Sequence, residues 1–416
     1  MAVTGTDRPS PIRTLRSVLR LAPLSRGRTE RRLRRCANIE DLRLLARRRL
    51  PGGVFDYIDG GAEAEDSLAR NTEAFTQLRW RPRVLRDVST VDTGARVLGR
   101  RLPVPLILSP TGFTRIADPA GELAVARAAA ARSLPYTLSM LATRSIEDVA
   151  GAAPGGHHWF QLYMWRDRGL VRDLLARSEA AGYEAIVLTV DTAVLGRRER
   201  DVRRGFTLPP TIGLRTLVDG ARHPGWASAF VRAEPIAFAN LAGRTGLDGS
   251  SPVVLSDYIG QQFDPAMSWD DVAWLREATE LPIVIKGVQS VGDAHEARRR
   301  GVDAVALSNH GGRQLDGGPS PLELVAPVRD AVGSSLEVYC DGGIRRGGDI
   351  VKACALGADA AMVGRAYLYG LGAGGERGVG HALDLLADGV GRTLALLGQP
   401  VLSQVGRDDL EALDVR

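Results

Sequence analysis

The chain has 416 residues, is 44% hydrophobic and carries a formal net charge of +5, which suffices to bury one large domain or two ordinary ones and excludes disorder of the whole. Ten arginines against Asp7 and Glu30 give residues 1–38 a charge of +8, so the remainder is −3; the basic balance belongs to a leader, and no later basic run interleaved with aromatics points to nucleic acid. Cys36, Cys340 and Cys354 are odd in number and lack metal-type spacing, no apolar run approaches a membrane span, and the Arg-rich start lacks the apolar segment of a signal peptide; neither disulfides, nor zinc, nor export is expected, and a cytoplasmic location fits.

Residues 1–37, rich in Pro, Ser and Arg, read as a mobile extension whose arginines could touch an anionic membrane surface. From Asn38, a potential N-cap, a helical pattern runs to Pro51-Gly52-Gly53, and a second short helix over 54–59 ends at Gly60-Gly61. Short β-like runs then recur at 105–109, 136–139, 158–163, 185–191, 282–287, 304–310, 337–341 and 360–364, most separated by helix-like segments such as 120–132, 169–181, 291–300, 322–332 and 348–356. Eight strand–helix repeats predict a closed (β/α)8 barrel over 38–416, with a doubly wound open sheet as the alternative. The rhythm breaks once: 201–268, rich in Pro and Gly and holding Trp226 and Phe230, reads as a long loop insertion that lids the site or touches a partner. Gly370-Leu371-Gly372-Ala373-Gly374-Gly375 has the letters of a dinucleotide fingerprint but follows no strand directly, and is discarded as such a site.

Barrel enzymes gather their reactive groups at the carboxyl ends of the strands. Here those ends bring Pro110-Thr111-Gly112, Ser139, Gln161 with Tyr163, Thr189 with Asp191, Lys286, Ser308 with His310 and Arg313, Asp341-Gly342-Gly343 with Arg345, and Gly364-Arg365. Each alone would pass for a turn or capping residue, but the set at one pole reads as a site. His310 and Arg313 place a proton acceptor and a planar carboxylate-binding fork three residues apart across two glycines. Lys286, one of two lysines beside 52 arginines, puts a compact cation at a strand end, where it could offset developing negative charge. The glycines and arginines after the seventh and eighth strands form a phosphate site.

With Ser308–Asp316 and Asp341–Gly347 as its most specific stretches, the chain from Asn38 onward resembles the FMN-dependent L-2-hydroxy acid dehydrogenases and oxidases. The texture of 55–63, 110–115, 159–167 and 364–375 is most similar to respiratory-type L-lactate dehydrogenases of actinobacteria. The resemblance implies FMN as cofactor and His310 as general base, with Asp191 stabilising its imidazolium. It makes Arg313 the main carboxylate clamp, assisted by Arg198, and gives Tyr57 and Tyr163 hydrogen bonds to substrate. The flavin would lie among Pro110, Thr111, Gly112, Ser139, Gln161, Thr189, Lys286 and Ser308. Its phosphate would meet Gly342, Gly343, Arg345, Gly364 and Arg365, with Asp341 on the ribityl chain.

The implied reaction oxidises a small 2-hydroxy acid, L-lactate as the leading candidate, to the 2-oxo acid. Hydride transfer and a carbanion route both suit this residue set. Gly112, where many oxidases of the family carry alanine, favours a quinone or another acceptor over O₂, and Leu141 leaves the length of the acid's side chain open. The family further implies a homotetramer, and a peripheral membrane contact is allowed. The alternatives are an oxidase of glycolate or mandelate type, and a non-redox phosphate-binding barrel or scaffold.

Overall fold

The computed structural model describes residues 27–205, 214–241 and 262–412. Its centre is a closed barrel of eight parallel strands: β4 (Leu106–Leu108), β5 (Tyr136–Ser139), β6 (His158–Tyr163), β7 (Ala185–Thr189), β8 (Ile283–Val288), β9 (Ala304–Ser308), β10 (Glu337–Asp341) and β11 (Ala360–Val363), with β11 pairing back onto β4. This is the expected (β/α)8 architecture. The strands are apolar almost throughout because both faces are covered: an inner layer including Ile107, Trp159, Val187, Val284, Ala306, Tyr339 and Met362 fills the barrel, while the opposite faces meet the surrounding helices. A hairpin of β2 (Ala95–Val97) and β3 (Arg100–Leu102) plugs the amino-terminal end, with Val97 and Leu102 joining the inner layer. A further ribbon pairs β1 (Leu78–Trp80) with β12 (Leu410–Ala412).

Several helices begin where the sequence supplies a capping side chain. The Asn38 side chain accepts from the Asp41 amide ahead of α2 (Ile39–Arg49), and Ser320 with Glu323 forms a capping box on α13 (Pro321–Val332). Between them in the chain lie α3 (Gly52–Asp59), α4 (Asp66–Thr76), α5 (Gly121–Ala130), α6 (Ile146–Ala152), α7 (Arg168–Ala180), α8 (Glu199–Arg204), α9 (Leu214–Arg222), α10 (Pro224–Arg232), α11 (Trp269–Ala278) and α12 (Val291–Arg299); α14 (Gly347–Leu356) and α15 (Arg365–Leu397) close the chain.

Two expectations need correction. The mobile extension does not reach residue 37. Helix α1 (Arg28–Leu33) buries Leu33 and is followed by buried Cys36, and Leu33 packs at Gly374 in α15. The expectation failed because so short and Arg-rich a segment shows little periodicity. Residues 1–26, where the rest of that extension falls, lie outside the described residues.

The 201–268 insertion is also not a plain loop. Its start falls inside α8, it contains α9 and α10, and Phe238 and Leu241 are buried. Trp226 stacks on Phe230 and donates from Nε1 to the Ile116 carbonyl at 2.7 Å, which ties the insertion to the segment after β4. The discarded glycine run lies in α15, where Gly374 and Gly375 leave helical geometry and kink it.

Candidate active site

At the carboxyl end of the barrel the strand ends surround a cavity of about 560 Å³. Of the residues picked out from sequence, Tyr57, Pro110, Thr111, Gly112, Ser139, Gln161, Tyr163, Thr189, Arg198, Lys286, His310, Arg313, Asp341, Gly342, Gly343, Arg345, Gly364 and Arg365 line it. Asp191 and Ser308 are not among the lining residues. They sit behind it and hold the groups that are.

His310 follows β9 with a left-handed backbone (φ +57°), and Gly311 and Gly312 continue in that region. At Gly312 glycine is required, since a β-carbon would collide with the Leu68 backbone. The His310 amide donates to Ser308 Oγ at 3.1 Å, and its Nδ1 meets Asp191 Oδ1 at 2.9 Å. With Nδ1 engaged, Nε2 is the ring nitrogen left to act on a ligand. Burial pushes the Asp191 carboxyl up, but His310 and Lys286 outweigh it and hold the group below the usual carboxylate range.

Lys286 is buried beside Asp341 at 2.8 Å and donates to Ser308 Oγ at 3.0 Å. Asp341 also accepts from Ser109 Oγ at 2.6 Å and Ser308 Oγ at 2.7 Å. Burial alone would lower the Lys286 ammonium's pKa; Asp341 and Asp191 overcome it and keep the pKa raised. Ser308 therefore serves as a brace beneath Lys286 and His310, and Asp341 as the partner of Lys286; the ligand contacts expected of Ser308 and Asp341 stand as proposals.

Arg313 and Arg198 hold their guanidinium carbons 5.2 Å and 5.1 Å from the centroid of the Tyr57 ring. Two cations share one aromatic platform, and burial together with the Arg198 and Arg365 charges pushes Arg313 down to about 9. An anion entering here relieves that repulsion. Arg198 also meets Asp201 at 3.1 Å. Tyr163 lies edge-on to Phe263 at 5.1 Å, and burial raises its hydroxyl's pKa.

At the far side, Gly342, Gly343 and Gly364 precede α14 and α15. Gly343 (φ +77°) lies against the Asn71 carbonyl so closely that any β-carbon would overlap it. Arg345 lies over the Tyr369 ring at 5.8 Å, whereas Arg365 turns its donors to the carbonyls of Ile58, Gly60 and Gly311.

Several residues that shape the site were passed over in the sequence. Gln314 donates to the Asp191 and Val194 carbonyls and accepts from the Gly196 amide, which stitches the His310 shelf to the loop after β7. Asn309 exchanges two 2.8 Å bonds with Asn71. Asp316 receives the Ser67 amide at 2.7 Å in the first turn of α4. All three belong to the His310 stretch, where polar side chains on a glycine-rich shelf were the available signal. Arg115 is buried and donates to the carbonyls of Glu234 and Pro235, a long-range contact that sequence spacing does not mark.

The sequence profile of the FMN-dependent dehydrogenases matches residues 46–412. A Mycobacterium tuberculosis (strain ATCC 25618 / H37Rv) protein provisionally named an L-lactate dehydrogenase is 46% identical over 377 residues, covering 91% of this chain and 89% of its own. L-lactate dehydrogenase of Caulobacter vibrioides (strain NA1000 / CB15N) is 44% identical over 362 residues, 86% of this chain and 93% of that one. Among solved structures, that of the monotopic membrane protein (S)-mandelate dehydrogenase superposes with a TM-score of 0.87 at 40% identity, covering 91% of this chain and all of the other. This chain belongs to the family of FMN-dependent dehydrogenases.

Proposed function

We propose that the protein oxidises an L-2-hydroxy acid, L-lactate as the leading substrate, to the 2-oxo acid and passes the electrons to a quinone or a similar acceptor. The observation that carries this reading is His310, backed by Asp191, facing the same cavity as the two arginines over Tyr57. The family's cofactor fits the remaining lining. Gln161 Nε2 and Thr189 Oγ1 are buried with no hydrogen-bond partner among the described residues, as expected of groups meant for a polar ligand edge. Gln161, Thr189, Ser139, Lys286 and the 110–112 segment would hold the ring, and Gly343, Arg345, Gly364 and Arg365 the phosphate.

When bound, FMN supplies the acceptor for the electron pair that leaves C2 of the substrate. The protein does the rest. Arg313 and Arg198 fix the carboxylate, and thereby bring the hydroxyl-bearing carbon to His310. His310 Nε2 takes a proton, and the Asp191 carboxylate at Nδ1 stabilises the imidazolium that results. Lys286, kept cationic by Asp341, offsets negative charge that develops beside it.

For the finer points, the L-lactate dehydrogenase names of the relatives favour lactate, and Gly112 favours an acceptor other than O₂. Exposed Leu217, Val218 and Val231 on α9 and α10, beside Arg222 and Arg232, support a peripheral contact with a membrane that holds a quinone. No helix among the described residues is long and apolar enough to cross a membrane. A homotetramer, the family's assembly, is the proposed oligomer. The test is anaerobic bleaching of the bound flavin by lactate, glycolate and mandelate, followed by air. Bleaching by lactate with slow reoxidation is expected; bleaching by none of the three, or rapid peroxide formation, overturns the reading or its acceptor.

A further inference from the structure

The end of α3 anchors two arginines of the site, Arg313 and Arg365. The carbonyls of Tyr57 and Gly60 accept Arg313 Nη1 at 2.7 Å and 3.1 Å, and Ile58 and Gly60 accept Arg365 at 3.1 Å and 2.7 Å. Between them Asp59, 4% exposed, accepts four hydrogen bonds. They come from Arg43 Nε at 2.5 Å and Nη2 at 2.9 Å, Tyr369 at 2.7 Å and Arg200 Nη1 at 2.9 Å.

Arg200 lies in the first turn of α8, two residues beyond Arg198, which stands at that helix's N-cap. Arg200 is paired with Glu65 as well, and Arg204, at the helix's end, donates to Asp56 Oδ2 at 2.7 Å. A six-residue helix has too few internal bonds to hold itself in place. Its position is therefore set by these pairs with Asp56 and Asp59 of α3 and with Glu65 just beyond it. The same turn that holds Arg313 through its carbonyls holds, through Asp59 and Arg200, the helix at whose N-cap Arg198 stands.

We propose that Asp59 is the positioning residue of the carboxylate clamp, holding α8 against α3 so that Arg198 and Arg313 converge over Tyr57. The proposal rests on the reading above that these arginines receive the substrate's carboxylate. Asp59 itself touches no substrate and moves no proton. Its removal should relax the spacing of the two forks and leave the His310–Asp191 pair, which belongs to other elements, intact. The signature is a KM effect without a kcat effect, which a purely structural ion pair would not produce.

The test uses the FMN-loaded full chain with Asp59→Asn, Arg200→Ala and the double variant. Each single substitution should raise KM for the preferred 2-hydroxy acid roughly tenfold, with kcat within about threefold and FMN content unchanged. The double variant should be no worse than the weaker single, because both break one linkage. Asp59→Glu should recover part of the loss. Arg200 is partly exposed, so Arg200→Ala carries the test if Asp59→Asn does not fold. An unchanged KM in Arg200→Ala, or strictly additive effects, would overturn the proposal. Oxalate binding, read from the flavin's visible spectrum, separates this role from the activity itself. If no 2-hydroxy acid reduces the wild-type flavin, the proposed reaction fails, and weakened oxalate binding in the variants still supports the alignment. Equal oxalate affinity in wild type and variants, or no oxalate binding by the wild type, overturns it.

Discussion

Asp191→Asn isolates the electrostatic part of the proton-accepting pair. Nδ1 and Oδ1 are 2.9 Å apart, the Asp191 side chain is 3% exposed, and its Oδ2 has no hydrogen-bond partner among the described residues, so His310 is the one side chain there that donates directly to the carboxylate, with Lys286 acting on it from farther off. With charge centres about 4 Å apart and an effective dielectric constant of about 20, the carboxylate stabilises an imidazolium by roughly 4 kcal/mol. Asparagine keeps a neutral hydrogen bond worth about 1 kcal/mol, which leaves a deficit near 3 kcal/mol, or about 10²-fold in rate. If its amide group turns toward Nδ1, the ring holds its proton on Nε2 and the loss grows. The assay is single-turnover anaerobic reduction of the bound flavin by L-lactate after rapid mixing, with FMN content measured in parallel. Reduction within about threefold of wild type, at full FMN occupancy, would refute the claim that Asp191 acts by stabilising the charged ring.

Three further outcomes follow from the geometry. Asp341→Asn leaves the buried Lys286 ammonium without its 2.8 Å partner and should cost about 3–5 kcal/mol of stability, read from urea unfolding. Gly343→Ala places a methyl group on the Asn71 carbonyl; the variant should lose FMN and fold poorly, whereas Gly348→Ala, with only Thr393 Oγ1 at 3.4 Å, should do neither. Arg43, Tyr369 and Arg200 overcome the cost of burying Asp59 and hold its carboxyl at about 2. Because the folded value lies below the unfolded one of about 3.9, this contribution is present above that pH and disappears as pH falls toward 2. Asp59→Asn should therefore lose about 2–3 kcal/mol at pH 7, and its deficit against wild type should shrink as unfolding is measured at falling pH.

The barrel was legible because its strands announce themselves in two ways: continuous apolar runs, which parallel sheets require, and polar residues at each carboxyl end. Three of the eight strands, Tyr136–Ser139, His158–Tyr163 and Glu337–Asp341, have the expected bounds, and the rest differ by one or two residues, since the polar residues after a strand look like its continuation. The cavity's lining was legible for the same reason. What remained hidden depends on contacts between distant parts of the chain. Asp59 reads as the last residue of a short helix until Arg43 and Arg200 converge on it. Nothing in the sequence around Arg115 marks that the 234–235 carbonyls cover it. The bonds that Ser308 and Asp341 make to Lys286 were equally hidden, because they depend on neighbouring strands lying in register.

The central claim is that His310 accepts the proton in oxidation of a 2-hydroxy acid held by Arg313. It is tested most directly by anaerobic flavin reduction in His310→Gln. The account predicts normal FMN binding and a loss of at least about 10²-fold in the rate of reduction by L-lactate. Reduction at a near-wild-type rate would contradict it.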